Sequence, residues 1–203
     1  MRKAKPKILS VRIETKVDDS PNTSYLGEYS NAPASDYAID RRKRGDQEPT
    51  EYRYWNPANH VPPGKASSWE HVDDESVKTS LRQIGLRPKG DPGQGNEHTR
   101  TEAIRALDLA YIEQDYQRME SLNRGAWHYL GIIAKAEVQL TPEGPIQTIR
   151  SGGLWGIESD SGSEYLESVK QEELADLRRQ LEEVGCGKRA IDHAYQDVTE
   201  NDD

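Results

Sequence analysis

The run Glu158-Ser159-Asp160-Ser161-Gly162-Ser163-Glu164 is the densest collection of chemically capable groups in the chain. Carboxylates at 158, 160 and 164, with serines and a glycine between, are hard oxygen ligands of the kind that Mg²⁺ or Ca²⁺ takes. The spacing lacks the ligand series and the closing glutamate of an EF-hand loop. The same letters also suit a helix start, where Ser or Asp caps and Glu faces the unpaired N–H groups. Just upstream, Ser151-Gly152-Gly153 can turn successive backbone N–H groups toward an anion, such as a phosphate or a developing oxyanion. No P-loop or GxGxxG order surrounds it, and a strand bulge explains the glycines as well. His128, beside Trp127 and Tyr129, is expected on the apolar side of a strand. With Glu158 or Asp160 across the sheet it would serve as a general base; otherwise it is a hydrogen-bonded histidine at the core's edge. An enzyme reading therefore has His128, Glu158 and Asp160 as its catalytic set and Glu158, Asp160 and Glu164 as its Mg²⁺ or Ca²⁺ ligands. Nothing matches HExxH, paired-cysteine zinc spacing or GxSxG, and His60, His71, His98 and His193 add no ligand pattern.

Two other features suit recognition better than reaction. Arg41-Arg42-Lys43-Arg44 is the one basic run, able to meet phosphate or an acidic patch, with Asp40, Asp46 and Glu48 as local counter-charges. With no Phe in the chain, Tyr52, Tyr54, Trp55, Trp127, Tyr129 and Trp155 carry the aromatic mass. They form either a small core or a partner-binding patch, since Trp and Tyr dominate interface hot spots.

The elements that must position these groups are legible as periodicities. Leu9, Val11, Ile13 and Val17 alternate with polar residues, a half-buried strand. Tyr25–Tyr29 and Tyr52–Trp55 have strand character. Thr99 with Glu102 spells a capping box before a helix over 100–122, stopped by Asn123-Arg124-Gly125. From Trp127 to Leu140 one face is unbroken apolar: Leu130, Ile132, Ala134, Ala136, Val138 and Leu140. Thr141–Pro145 turns the chain, and Ile146–Ile157 returns as the second arm of a long hairpin. Ser161 with Glu164 spells another capping box, before a helix over 163–184. Residues 56–99, rich in Pro and Gly, read as a flexible insertion holding one short helix within Glu70–Ile84 and ended by Gly85.

Apolar residues make up 33% of the 203, so the core is small and one domain is the expectation. Residues 158–203 hold fourteen acids against five bases, a surplus of nine that accounts for the whole net charge of −9. A broad basic face for nucleic acid is therefore disfavoured, and an acidic end that meets a basic partner or simply stays solvated is expected. One cysteine, Cys186, rules out an intramolecular disulfide. No apolar run is long enough for a membrane span or a secretion signal.

Several segments together resemble a family of uncharacterised proteins encoded by bacteriophages and related mobile elements. They are Tyr25–Ser30 (YLGEYS), Ala38–Arg41 (AIDR), Glu51–Pro57 (EYRYWNP), Asp115–Glu120 (DYQRME) and Ile149–Ser161 (IRSGGLWGIESDS). The resemblance implies action inside a bacterial cell and, by association, a non-enzymatic binder of host, defence or phage proteins. It assigns no catalytic residue.

The expectation is thus an α+β chain. Its antiparallel sheet is built on the C-terminal hairpin, with helices 100–122 and 163–184 on one face. A basic, mobile lead-in (1–7) precedes a domain over 8–187 with its insertion at about 56–99, and an acidic, partly frayed tail (188–203) follows. The leading function is non-catalytic binding of a protein partner in the bacterial cytoplasm, without a cofactor. Tyr52, Tyr54, Trp55, Arg41, Arg42, Lys43, Arg44, Gly152, Gly153 and Trp155 are its candidate binding residues. The alternatives are the Glu158/Asp160/Glu164 enzyme, dependent on a metal or nucleotide, and nucleic-acid binding through Arg41–Arg44.

Overall fold

A computed structural model describes residues 5–44, 52–58, 68–93 and 95–202. Expectations for Glu51, His60, Asp46, Glu48, Pro62-Pro63-Gly64 and the start of the basic lead-in lie outside the described residues. In chain order the elements are β1 (Lys7–Val17), β2 (Glu28–Ser30), β3 (Ile39–Asp40), α1 (Arg41–Arg44), β4 (Tyr54–Asn56), α2 (Asp74–Gln83), β5 (Arg87–Pro88), β6 (Glu97–His98), α3 (Arg100–Asn123), β7 (Tyr129–Gln139), β8 (Ile146–Arg150), β9 (Leu154–Glu158), α4 (Ser163–Glu183), α5 (Lys188–Ala194) and β10 (Thr199–Asp202). The chain is α+β, and its contacts gather into two units: residues 1–21 with 127–203, and residues 22–126.

The first unit is a five-stranded sheet in the order β10-β1-β7-β8, with β9 also on β7. The expected hairpin is there. β8 runs antiparallel to the far half of β7 (Lys135↔Arg150 to Gln139↔Ile146) and β9 to the near half (Tyr129↔Glu158, Ile132↔Leu154). The return arm breaks into two strands at Ser151-Gly152-Gly153. Gly153 has φ +79°, and a Cβ there would fall 2.8 Å from Ile133 Cγ1, so only glycine fits without strain. On the other side, β1 pairs antiparallel with β7 from Lys7↔Gln139 to Val17↔Leu130.

One face of this sheet carries the core. Val11, Ile13, Ile132, Ala134, Ala136, Val138 and Ile157 pack against Val169, Leu177 and Leu181 of α4 and Ile191 of α5. Period-two alternation in the strands and period-3.6 spacing in α4 bring these residues together. Each large aliphatic side chain buried there contributes about 1.5–3 kcal/mol. The tail is more ordered than the partly frayed expectation. Ile191 is completely buried, and Thr199–Asp202 pairs in parallel with Arg12–Thr15. Its acidic composition hid a strand that needs β1 as its template. Cys186 is buried too, and burial pushes its thiol's pKa up, which suits an inert packing residue.

The opposite face of β1 and β7 is charged. Glu14 is nearly buried and accepts from Arg12 Nε at 2.9 Å and from Lys135 Nζ, and Lys16 Nζ lies 3.6 Å from it. The hydrogen bond from Lys135, outweighing burial and helped by Arg12, holds the Glu14 carboxyl below its usual range. Its stabilisation is therefore complete above the unfolded glutamate value of about 4.3 and fades as pH falls through the lower folded value. Glu14→Gln is expected to lower stability at neutral pH and to flatten the acid limb, which urea unfolding midpoints measured across pH will show.

In the second unit β2, β4 and β3 form a separate sheet, antiparallel throughout (β2-β4-β3). The sequence reading put the Tyr25–Tyr29 and Tyr52–Trp55 strands in the main sheet. Strands of two or three residues leave no periodicity from which pairing can be read. The capping box of α3 forms as expected, with Thr99 and Glu102 bonded reciprocally. The short helix of the insertion is α2, capped by Asp73, and it packs Val77 and Leu81 against Ala103 and Leu107 of α3.

Candidate functional site

The acidic turn does not assemble a metal centre. Glu158 is half-buried, whereas Asp160 and Glu164 are exposed. Among the described residues no three His, Cys, Asp or Glu side chains gather as a metal ion requires. The expected Ser161 cap is also replaced. Gly162 is the N-cap of α4 with no side-chain cap bond, and Leu166 N donates to its carbonyl. His128 stands apart from Glu158 by strand alternation. It exchanges bonds with Ser159 through its backbone: His128 N donates to Ser159 Oγ at 2.9 Å, and Ser159 N donates to His128 O at 2.8 Å. Glu158 is opposite Tyr129 and shares that residue's face, so His128 points the other way and is exposed rather than on an apolar side. The proposed base and Glu158 therefore face opposite sides of the sheet.

The Ser151-Gly152-Gly153 segment does bind anions, and they are the protein's own. Gly152 N donates to Asp176 Oδ2 at 3.2 Å and Gly153 N to Glu173 Oε2 at 2.9 Å, both from α4. Ser151 is buried and makes a double bond pattern with Ala134: its N donates to Ala134 O, and its Oγ accepts from Ala134 N, each at 2.9 Å. The bulge therefore turns N–H groups toward the helix and fastens α4 to the sheet edge. A phosphate or oxyanion would have to displace two carboxylates.

The basic run is largely committed inside the second unit. Arg41 is 2% exposed and forks onto Glu120, with Nε to Oε1 at 3.0 Å and Nη2 to Oε2 at 3.3 Å. Its Nη1 donates to Tyr52 O at 3.2 Å, and its guanidinium stacks 4.9 Å from the Tyr29 ring centroid. Tyr29 donates its hydroxyl to Glu120 Oε1 at 2.8 Å and accepts from Asn123. Burial, reinforced by the Glu120 bond, raises the Tyr29 phenol far above its usual range. Burial works against the charge on Arg41, and the bond to Glu120 overcomes it, so its pKa is raised. Arg44 forks onto Glu113 at 2.7 and 2.6 Å and lies over Tyr116. Arg42 and Lys43 remain exposed. A cavity of about 330 Å³ opens beside Lys43 and Arg44, lined also by Asp36, Asp40, Leu109 and Glu113. Its charges mostly cancel, because Glu113 holds Arg44 and Arg53 holds Asp40.

The aromatic set divides sharply. Trp55 has 0% exposure and packs 5.4 Å from Tyr116, its indole N–H buried without an acceptor among the described residues. A Cβ on Gly27, at φ +125°, would meet Asn56 O at 2.5 Å and the Trp55 ring at 2.7 Å. Asn56, buried, accepts from Ala34 N at 2.8 Å and donates to Ser30 Oγ at 2.8 Å. Trp55 is thus a core residue, not the surface residue expected for binding. Tyr54 is half-buried under Arg53, and Tyr52 is exposed. Trp127 and Tyr129 are buried edge to face, their centroids 4.9 Å apart.

Trp155, like Tyr52, is exposed, at 46% beside Leu154 at 38%. Its indole rests face-on over Gly131. A Cβ at Gly131 would lie 2.2, 2.4 and 2.6 Å from three adjoining ring atoms, and the ring's Nε1 edge reaches Gly153. The absent side chains of 131 and 153 make the seat. Gly131→Ala is expected to lift the ring or strain the strand, at about 1–3 kcal/mol. Urea unfolding gives the cost, and a change in tryptophan emission reports the displaced ring.

The class defined by these features is an α+β chain of two units with a packed polar core in one and an exposed indole at the sheet edge of the other. No protein-family model matches the chain, and neither curated proteins nor solved structures give a match. No helix among the described residues is long and apolar enough to cross a membrane.

Proposed function

We propose that the protein is a non-catalytic interaction protein that binds another protein through the β9 edge of its first unit, with Trp155 as the central contact. The observation that carries this reading is the indole resting on Gly131 with 46% of the residue exposed. A pre-seated aromatic side chain costs little entropy on binding and offers a large contact area. The groups that looked capable of chemistry support the same reading, since they are spent on structure: the bulge N–H groups on α4, Arg41 on Glu120, and His128 in backbone pairing with Ser159. The resemblance to phage-encoded proteins implies action inside a bacterial cell and, by association, a host, defence or phage protein as the partner.

The test is affinity capture from bacterial cells with the native protein and with Trp155→Ala in parallel. The variant is expected to stay folded, with a midpoint lowered by the loss of the half-buried indole, and to lose the captured protein. Equal capture by a well-folded Trp155→Ala would refute the reading.

A further inference from the structure

We infer that the partner presents an arginine or lysine side chain, within a basic segment, to the open face of Trp155. This deepens the binding reading above and rests on it. Two observations meet at one strand. The indole rests on Gly131 and keeps 46% of the residue exposed, an electron-rich aromatic surface turned outward. One carboxylate stands on its side of the sheet: Asp18 Oδ2 accepts from Gly156 N at 3.1 Å, whereas Glu173 and Asp176 belong to α4 on the core face.

An aromatic face attracts a cation through its quadrupole, and the Asp18 carboxylate beside it adds Coulomb attraction that steers the approach. Arginine suits the place well, since its planar guanidinium stacks on the ring while its edge N–H groups remain able to reach that carboxylate. The same carboxylate repels phosphate, which argues against stacked nucleotide bases despite the exposed indole. Asp18 lies on the indole's side of the sheet: Lys16 is opposite Gly131, and Asp18 follows two residues on, facing the same way. Lys16 itself leans toward Glu14, at 3.6 Å.

The probes are short Gly/Ser peptides carrying two arginines, two lysines, two citrullines or two glutamates, and an oligo-dT strand. Each is titrated into the full chain, native or carrying Trp155→Ala or Asp18→Asn, with tryptophan emission and calorimetry as readouts. The arginine peptide is expected to bind and to weaken roughly three- to thirtyfold both on citrulline replacement and in Trp155→Ala. It should weaken again in Asp18→Asn, and on added salt. Asn keeps the acceptor for Gly156 N, so loss there reports charge. Indifference to citrulline, binding of the glutamate peptide or oligo-dT instead, or Trp155-dependent self-association in sedimentation each overturns the inference. If capture from cells still depends on Trp155 in any of those cases, the binding reading stands while the basic partner falls. If capture is independent of Trp155, the binding reading itself has failed.

Discussion

Glu120→Ala should cost the second unit about 3–5 kcal/mol. Glu120 is 4% exposed and receives Arg41 through two N–H groups and Tyr29 through its hydroxyl. Removing it leaves a guanidinium with 2% exposure uncompensated, and a buried charge without its partner is far more costly than the net worth of the pair. The phenol of Tyr29 loses its acceptor at the same moment. Replacing both ends together, Arg41→Met with Glu120→Leu, should recover much of the loss, because neither charge then remains to be solvated. Chemical denaturation followed by hydrogen exchange will separate the units. Protection should fall across 22–126 and hold in β1, β7 and α4. A Glu120→Ala protein as stable as the native one would mean the fork contributes nothing.

The second large effect follows from topology. Val17 is directly across from Leu130, and Asp18 N donates to Tyr129 O at 2.8 Å, so β1 and β7 form a hairpin with residues 22–126 inserted at its tip. The core of the first unit draws every member from outside that insertion: Ile8 to Ile13, Leu130 to Leu140, Ile149, Ile157 and the helices that follow. Replacing 22–126 by a short turn of the Asn-Gly type should therefore leave a folded sheet that unfolds cooperatively, since closing a shorter loop also costs less entropy. Near-ultraviolet circular dichroism and a single sharp urea transition would establish it. A product with secondary structure but no fixed packing would show that the first unit needs the second to fold.

Much of the architecture could be read from residue spacing, and the failures share a cause. β1, β7, α2, α3 and α4 are long enough for period two or 3.6 to repeat several times, and their bounds fall within a few residues of expectation. β2, β3 and β4 are two or three residues long, and their pairing depends on Trp55 and Asn56 meeting Gly27 and Ser30, which no local pattern reveals. Arg41 looked like surface because its counter-charge lies 79 residues away in α3. The bulge at Gly152-Gly153 looked open to anions because Glu173 and Asp176 arrive from the next helix. For His128, the register with Ser159 decided the side it faces, and register is set by the whole ladder. Trp155 was visible as one aromatic among six. What singled it out, an indole lying on a glycine of the neighbouring strand, is a cross-strand fact.

The segments on which the expected resemblance to phage proteins rests have a physical account of their own. Gly27 and Tyr29, Asp40 and Arg41, Tyr54 to Asn56, and Tyr116 and Glu120 all sit in the polar and aromatic core of the second unit. Ser151 to Gly153 and Ile157 build the hairpin and its hold on α4. In each segment side chains or glycines carry framework, while Tyr25, Tyr52 and Trp155 keep exposed aromatic surface, and of these Trp155 is the one seated on a glycine of the neighbouring strand.

Hydrogen–deuterium exchange on the captured complex tests that division most directly. Residues 154–158 and the neighbouring end of β1 around Asp18 should gain protection when the partner is bound, with α1 and the cavity beside Lys43 unchanged. Protection confined to Arg42, Lys43 and α3, with β9 exchanging as in the unbound protein, would contradict the account.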